Sequence, residues 1–282
     1  RGRGVGMIAS YAHGPVRGFR LGRTLLGKGR YFTACYHLDG LLIDSGCAHT
    51  APELAAALTD LPLHGVAHTH SHEDHWGLSA QLQAQAGVRV YSPETTLDLV
   101  RGQAEPPRLM PYQKVLWGPP TPCPGAEPLP PRLETPRHRL TVIPTPGHSP
   151  DHVCFFEENQ GWLFVGDAYT GGRDRALRRG YDIWGIIASL RAMAALNPTV
   201  LFCGSGSVVE DPAAALRDKI TYLVERGNYV LELRRRGWPP KLIARSVFGR
   251  EPGISYITQG DFSTVVLVLS YLADSPHKPS RA

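Results

Sequence analysis

The order of apolar and polar positions predicts short strands with interleaved helices over about the first 210 residues. The segments 31–38 and 41–44 form a predicted hairpin, because the Asp39-Gly40 dipeptide between them favours the positive φ angles of a two-residue turn. Further strands are predicted at 64–68, 88–91, 139–144, 152–157, 162–165 and 199–203. This alternation is typical of a layered α/β core.

Helices are predicted where apolar residues recur with the helical period and where capping residues mark an end. Thr50 and Glu53 have the spacing of a capping box, and Gly87 should end a helix over 75–86. Ser92-Pro93 should begin another helix. Longer helical patterns cover 182–196, 212–236, 240–248 and 262–273.

The character of the chain changes after residue 211, where strands cease and only helical patterns follow. We therefore expect one layered α/β domain over 7–210 and a helical extension over 211–282 that packs on it. Within the first part, the proline-rich stretch 105–136 should be a long surface loop. Residues 1–6 are basic and glycine-rich and precede Met7, so we interpret them as a remnant of the expression vector.

Composition excludes two classes of protein. The 282 residues are 42% hydrophobic, which supports a sizeable core and excludes a wholly disordered chain. The longest apolar run, around 265–269, is about half of what a membrane span needs, so no membrane association is expected. Five scattered cysteines lack a CxxC pair and no apolar segment follows the basic start, so we expect a cytoplasmic protein. The net charge of +5 would suit an anionic substrate or nucleic acid.

Residues 69–77 concentrate the candidate chemistry. His70 and His72 are two apart, so in an extended segment both imidazoles point to one side and can bind one ion. Asp74 and His75 follow, and together they could serve a second ion. This set of nitrogen and oxygen donors favours zinc, with iron or manganese as alternatives. Asp74 could instead cap a helix, and the histidines could form a solvated surface cluster.

Two distant segments offer similar donors. His148 lies in a turn-rich segment after a predicted strand, where a rigid loop could present it as a third ligand. Asp167 ends an apolar strand, and a carboxylate there can bridge two ions or orient a water molecule. Each could also be an ordinary loop histidine or strand-end aspartate when taken alone.

These motifs together resemble the metallo-β-lactamase superfamily. The chain carries Leu-Ile-Asp-Ser-Gly at 42–46, HxHxDH at 70–75, PGHS at 146–149 and Gly-Asp at 166–167, in the order of that family. The resemblance implies an α/β fold, a four-layer αββα sandwich that binds one or two metal ions at one sheet edge. It also implies that His70, His72 and His148 hold the first ion, that Asp74 and His75 hold the second, and that Asp167 bridges them. Asp44 would then support the ligands from behind.

The sequence departs from the family pattern at Ser205. The family usually has a last histidine ligand after the strand at 199–203, whereas this chain has Ser205. Serine is a poor ligand compared with imidazole, so we expect a weaker second site, completed by water or by a residue of the helical extension. Cys203 could be a soft substitute, although a strand cysteine more often serves as a buried small hydrophobe.

The implied reaction is hydrolysis, since a divalent ion lowers the pKa of a coordinated water towards about 7. Asp74 or Asp167 would orient that water and move its proton. We expect a small ester, thioester or lactone as substrate. The alternatives are a phosphoesterase or endoribonuclease, a diiron redox protein, or an inactive metal-binding scaffold.

Four residues are candidates for substrate binding. Arg173 and Arg175 follow Asp167 closely and could bind a phosphate or carboxylate, unless they belong to a solvated basic loop. Trp76 and Tyr181 could line an apolar pocket or could serve the core. A small molecule is the expected partner, and the sequence leaves the oligomeric state open.

Overall fold

The computed structural model describes residues 6–25 and 28–278, in which two large sheets face each other. The first sheet contains, in spatial order, β1 (Gly6–His13), β2 (Val16–Leu25), β3 (Lys28–Leu38), β4 (Leu41–Ile43), β5 (Gly65–Ala67), β6 (Arg89–Ser92) and β7 (Glu127–Pro128). The second contains β8 (Arg132–Glu134), β9 (Arg139–Pro144), β10 (Val153–Glu157), β11 (Trp162–Gly166), β13 (Val200–Cys203) and β14 (Val208–Val209). A separate pair joins β12 (Leu177–Arg178) to β15 (Phe262–Ser263).

Helices cover the outer face of each sheet. Those of the first half are α1 (Ala51–Leu58), α2 (Ser79–Ala86), α3 (Leu97–Arg101) and α4 (Pro111–Leu116). Those of the second half are α5 (Ile183–Ala195), α6 (Pro212–Arg235), α7 (Pro240–Phe248), α8 (Gly253–Ile257) and α9 (Thr264–Leu272). Buried residues of α1 and α3 pack on the first sheet, and those of α5, α6, α7 and α9 pack on the second. The layers are therefore α, β, β and α, which confirms the expected sandwich.

Strand alternation explains how one sheet serves two cores. In β10, Phe155 lies between the sheets while its neighbour Cys154 packs against the helices, as the period of two requires. Between the sheets, the rings of Phe164 and Phe202 stack with centroids 4.7 Å apart. Tyr36 of the first sheet contacts both rings edge-on, which joins the two sheets at the centre of the sandwich.

The helices after residue 211 share the core of the second sheet. Trp184 of α5 donates its indole N–H to the carbonyl oxygen of Tyr271 in α9 at 3.1 Å. Gly227 of α6 lies against the rings of Trp184 and Tyr271, and a Cβ at this position would be 2.7 Å from the ring of Tyr271. The helical extension is thus packed on the sandwich through buried aromatic side chains.

Several element boundaries differ from the sequence expectation. The helix expected over 75–86 begins only at Ser79. The amide of Ser45 donates to the carbonyl oxygen of His75, and the amide of Gly77 donates to that of Gly46. These hydrogen bonds join residues 75–77 to the loop after β4, so the backbone there is not helical. The prediction of a capping box at Thr50 and Glu53 was wrong, since the Thr50 hydroxyl donates to the Cys47 carbonyl oxygen and caps no amide. The stretch 105–136 contains α4, β7 and β8, and the segment expected to be one helix over 262–273 begins with the two residues of β15.

The predicted hairpin turn, the end of α2 and the helix over 182–196 are confirmed. Asp39 and Gly40 have φ angles of 49° and 90°, as the predicted hairpin turn requires. Gly87 ends α2 in the left-handed conformation, as expected. The helix expected over 182–196 is α5, and the structure shows that Asp182 caps it by accepting a hydrogen bond from the amide of Trp184. No helix in the described ranges is both long enough and apolar enough to cross a membrane.

Candidate metal centre

Three imidazole nitrogens converge where the loops after β5 and β9 meet at one edge of the sandwich. Nε2 of His70 lies 2.9 Å from Nδ1 of His72, which lies 3.0 Å from Nε2 of His148. His70 and His148 are buried, and His72 is half-buried. Since three donor atoms face one point, these residues can bind a single ion.

A second group of donors adjoins the first. One donor atom each from His70, His75 and Asp167 lies within 4.8 Å of the others. Nε2 of His75 is 3.9 Å from Oδ2 of Asp74 and 3.7 Å from Oδ1 of Asp167. The other oxygen of Asp167 is 3.6 Å from Nε2 of His148, so this carboxylate reaches both groups.

Asp44 orients two parts of the centre from behind. It accepts hydrogen bonds from the amide and the hydroxyl of Thr69 at 2.7 and 2.8 Å. Its Oδ2 also lies 2.8 Å from Nδ1 of His75. Asp44 has a φ of 58°, a conformation that aspartate tolerates better than most residues.

The residues present fit a divalent ion. Nε2 of His75 is buried and has no hydrogen-bond partner among the described residues. An unsatisfied buried polar atom is costly, and a bound cation would satisfy it. The donors around it are imidazole nitrogens and carboxylate oxygens, the set that zinc and neighbouring transition metals accept.

Burial and nearby charges shift the pKa values of these histidines. Burial lowers the pKa of His148 to about 3 and lowers the pKa values of His70 and His72 well below their ordinary value, which favours the neutral rings that a metal ion requires. Burial would lower the pKa of His75 as well, but the nearby carboxylates Asp44, Asp74 and Asp167 raise it well above its ordinary value. The excess of carboxylates favours a cation at this position.

The loop after β13 closes the centre without an imidazole. Gly204 donates its amide to the carbonyl oxygen of Gly166 at 2.6 Å, and a Cβ on Gly204 would overlap Oδ1 of Asp167. Ser205 follows and lines a cavity together with Asp167, and its hydroxyl lies 3.3 Å from that of Ser207. Cys203 is 1% exposed, and burial raises the pKa of its thiol to about 12. A buried, protonated thiol is a poor ligand.

A cavity of about 270 Å³ opens beside the donors. Its lining includes donor residues of both groups and side chains from the helical extension. Tyr181 is part of the wall, with its hydroxyl 3.3 Å from Nε2 of His148, and Arg178 lies beside it. The volume suits part of a small molecule.

The other candidate residues for substrate binding lie elsewhere. Arg175 donates to the carbonyl oxygens of Phe248 and Arg250, and the Arg173 guanidinium is 5.7 Å from the ring centroid of Tyr222. Trp76 is buried and packs in the core between the first sheet and its helices. None of the three lines the cavity.

One set of contacts at the cavity wall could not be predicted from the sequence. The Tyr112 hydroxyl donates to Oδ2 of Asp261 at 2.8 Å, and Nε of Arg178 lies 3.2 Å from the same oxygen. Tyr112 and Asp261 are 149 positions apart, so no local motif could have joined them.

An αββα sandwich with histidine and aspartate donors at one sheet edge defines an enzyme of the metallo-hydrolase class. Residues 33–205 match the family model of the metallo-beta-lactamase superfamily, and the chain belongs to that superfamily. A hydroxyacylglutathione hydrolase from Fuscovulum blasticum is 28% identical over 214 residues, covering 71% of this chain and 75% of that protein.

Two further similarities extend the comparison. The thioesterase pkgB of Emericella nidulans is 29% identical over 181 residues, which cover 60% of this chain but only 43% of that protein. Among solved structures, the metallo-beta-lactamase family protein TTHA1429 from Thermus thermophilus has a TM-score of 0.62 and 22% identity, covering 86% of this chain and 88% of that chain. The structural likeness shows the shared fold.

Proposed function

We propose that this protein is a metal-dependent thioester hydrolase. The observation that carries the proposal is the convergence of the His70, His72 and His148 nitrogens near the carboxylate of Asp167, beside a cavity that His72, His148 and Asp167 line. Similar proteins named as a hydroxyacylglutathione hydrolase and as a thioesterase favour a thioester over other substrates of the superfamily.

One or two divalent ions would complete the centre, with zinc favoured and iron or manganese as alternatives. His70, His72 and His148 would hold the first ion, and Asp74 and His75 the second, with Asp167 shared between them. When bound, such an ion supplies a Lewis acid that polarises a carbonyl and acidifies water.

The protein's own residues supply orientation and proton transfer. Oxygens of Asp74 and Asp167 face the donor group around His75, where they would accept a proton from the attacking water. The attack forms a bond from the water oxygen to the acyl carbon and breaks the carbon–sulfur bond, and the proton ends on the released thiol or in solvent. Tyr181 closes the side next to His148, which helps to exclude other water from the acyl group.

The test combines elemental analysis with a substrate panel. Purified protein would be analysed for metals and then assayed with acyl thioesters, oxygen esters, lactones, phosphodiesters and RNA. We expect thiol release from thioesters to be the fastest reaction. His72→Ala should abolish it, whereas His277→Ala, at an exposed histidine outside the centre, should not.

Other outcomes would contradict the proposal in distinct ways. Faster cleavage of RNA or phosphodiesters, with a steep loss of affinity in salt, would indicate a nuclease. Tightly held iron with consumption of oxygen or nitric oxide would indicate a redox protein. Full activity of His72→Ala would overturn the assignment of the site.

A further inference from the structure

The helical extension builds one wall of the cavity beside the metal centre. Ile254 and Ile257 of α8 and Phe262 of β15 line it, together with Leu116 and Trp117 at the end of α4. The donor residues His72, Asp74, His148 and Asp167 line the same cavity. An apolar wall thus adjoins the position where the reacting carbonyl must lie.

The cationic side chains that line this cavity in the described part of the chain are already engaged. Lys219 donates to the carbonyl oxygens of Gly171 and Gly172 and lies 2.7 Å from Oδ2 of Asp174. Arg178 is paired with Asp261. Because both charges have carboxylate partners, the cavity offers more to an apolar group than to an anion.

Asp261 ties the apolar wall to the sandwich. Its Oδ2 accepts from the Tyr112 hydroxyl at 2.8 Å and lies 3.2 Å from Nε of Arg178. Both partners belong to the body of the molecule, while Asp261 lies directly before Phe262. Two charge-assisted contacts therefore hold α8 and β15 in place across the cavity.

The rim of this wall leaves apolar surface exposed. Ile257 lines the cavity and is nevertheless 52% exposed. A large apolar side chain that lines a cavity and is still open to solvent is available to contact an apolar ligand.

We propose that the wall formed by Ile254, Ile257 and Phe262 binds the acyl group of the substrate and selects thioesters whose acyl group is apolar. The inference rests on the proposed function and adds the class of acyl group to it. A cavity of about 270 Å³ has room for one modest acyl group and none for a macromolecule.

The test uses N-acetylcysteamine thioesters, which share one small neutral thiol and differ only in the acyl group. The series would contain acetyl, butyryl, hexanoyl and 5-carboxypentanoyl groups, assayed with metal-loaded protein. We expect kcat/KM to rise about tenfold or more from acetyl to hexanoyl, since each buried methylene adds binding energy. The carboxylated chain should lose most of that gain.

Variants of Ile257 test whether the wall binds the acyl group or only supports the fold. Ile257→Asn should reduce the hexanoyl-to-acetyl ratio of kcat/KM about threefold or more, and Ile257→Leu should retain the ratio. Leu242→Asn is the matched control, because Leu242 is 55% exposed on α7 and does not line the cavity.

The two proposals fail differently in this experiment. Equal rates across the series, or preference for the carboxylated chain, would overturn the acyl-binding wall while thioester hydrolysis stands. An unchanged ratio in Ile257→Asn would overturn it as well. Absence of thiol release from every member, with metal bound, would overturn the proposed function itself.

Discussion

Oδ2 of Asp44 lies 2.8 Å from Nδ1 of His75, although the two residues are 31 positions apart. A carboxylate at Nδ1 leaves Nε2 as the nitrogen that faces the donor group of Asp74 and Asp167. A carboxylate placed behind a ligating imidazole sets its orientation and raises its basicity. Asp44 would therefore support the candidate metal centre without being one of its ligands.

Asp44→Asn should weaken metal binding at the His75 group by about 10- to 100-fold, because an amide no longer supplies the negative charge behind the ring. Asparagine tolerates the positive φ of this position, so the backbone should be kept. Chelator competition with the purified variant measures the affinity, and circular dichroism checks the fold. Unchanged affinity would show that Asp44 serves the loop alone.

Metal addition should stabilise metal-free protein. His75 has a buried nitrogen without a partner among the described residues, and a ligand that binds only the native state adds free energy of unfolding by mass action. At a free zinc concentration of 100 times Kd the gain is about 2.7 kcal/mol. Thermal unfolding over a zinc titration measures it. The His72→Ala, His148→Ala double variant is the control and should respond much less.

Gly204→Ala should reduce metal affinity. A Cβ at this position overlaps Oδ1 of Asp167, so the carboxylate that reaches both donor groups must move. Displaced ligands bind more weakly because metal sites require defined donor positions. Gly253→Ala is the matched control, since a Cβ there meets no atom within 4 Å. Equal metal retention by the two variants after dialysis would contradict the prediction.

Ser205→His should strengthen the second site. Ser205 lies on the loop that contacts Asp167 and lines the cavity, and imidazole binds zinc better than a hydroxyl. We expect the natural chain to keep fewer than two ions after mild chelation, and the variant to keep more. Ser207→His, two residues further on at an exposed position, controls for a nonspecific histidine. Two tightly held ions in the natural protein would refute the weak second site.

Because of His37, we expect the free energy of unfolding to be lower in mild acid than at neutral pH. Burial lowers its pKa in the folded state, with Arg17 acting in the same direction and Asp39 against it. The unfolded chain then binds more protons, so the free energy of unfolding falls as the pH drops below about 6.5. Nε2 of His37 lies 2.7 Å from the carbonyl oxygen of Pro62, and glutamine can donate to the same acceptor.

Urea unfolding of metal-free protein at pH 7.5 and 5.5 tests this dependence. His37→Gln should lose less stability between the two pH values than the natural protein does. His64→Gln is the comparison, since His64 lies close by and also affects the pKa of His37. A larger acid loss in His37→Gln than in the natural chain would reverse the sign and contradict the assignment.

Much of the fold and of the set of candidate donors could be predicted from the sequence, because both depend on patterns within short segments. Strand alternation and the Asp39-Gly40 turn depend on neighbouring residues, and the hairpin is present as expected. The positions of the donors in the HxHxDH segment likewise depend on local backbone geometry. His148 and Asp167 were added to these candidate ligands because their motifs occur in the order of the superfamily, and the structure brings their donor atoms together.

Elements that depend on distant contacts were missed or misplaced. The start of α2 is delayed because Gly77 donates to Gly46 and packs against the loop after β4, where a side chain would overlap the backbone of Cys47. Trp76 lies in the core, which is one of the two roles that the sequence left open for it.

The sequence by itself determined the layered α/β class, the superfamily resemblance and the candidate ligands, since these follow from periodicity and from motifs a few residues long. Only the tertiary structure decided which arginine lies at the cavity, that α8 exists, and that Asp261 holds its wall to Tyr112 and Arg178. Those features arise from contacts between residues far apart in the chain, and their formation depends on how the helical extension packs on the sandwich.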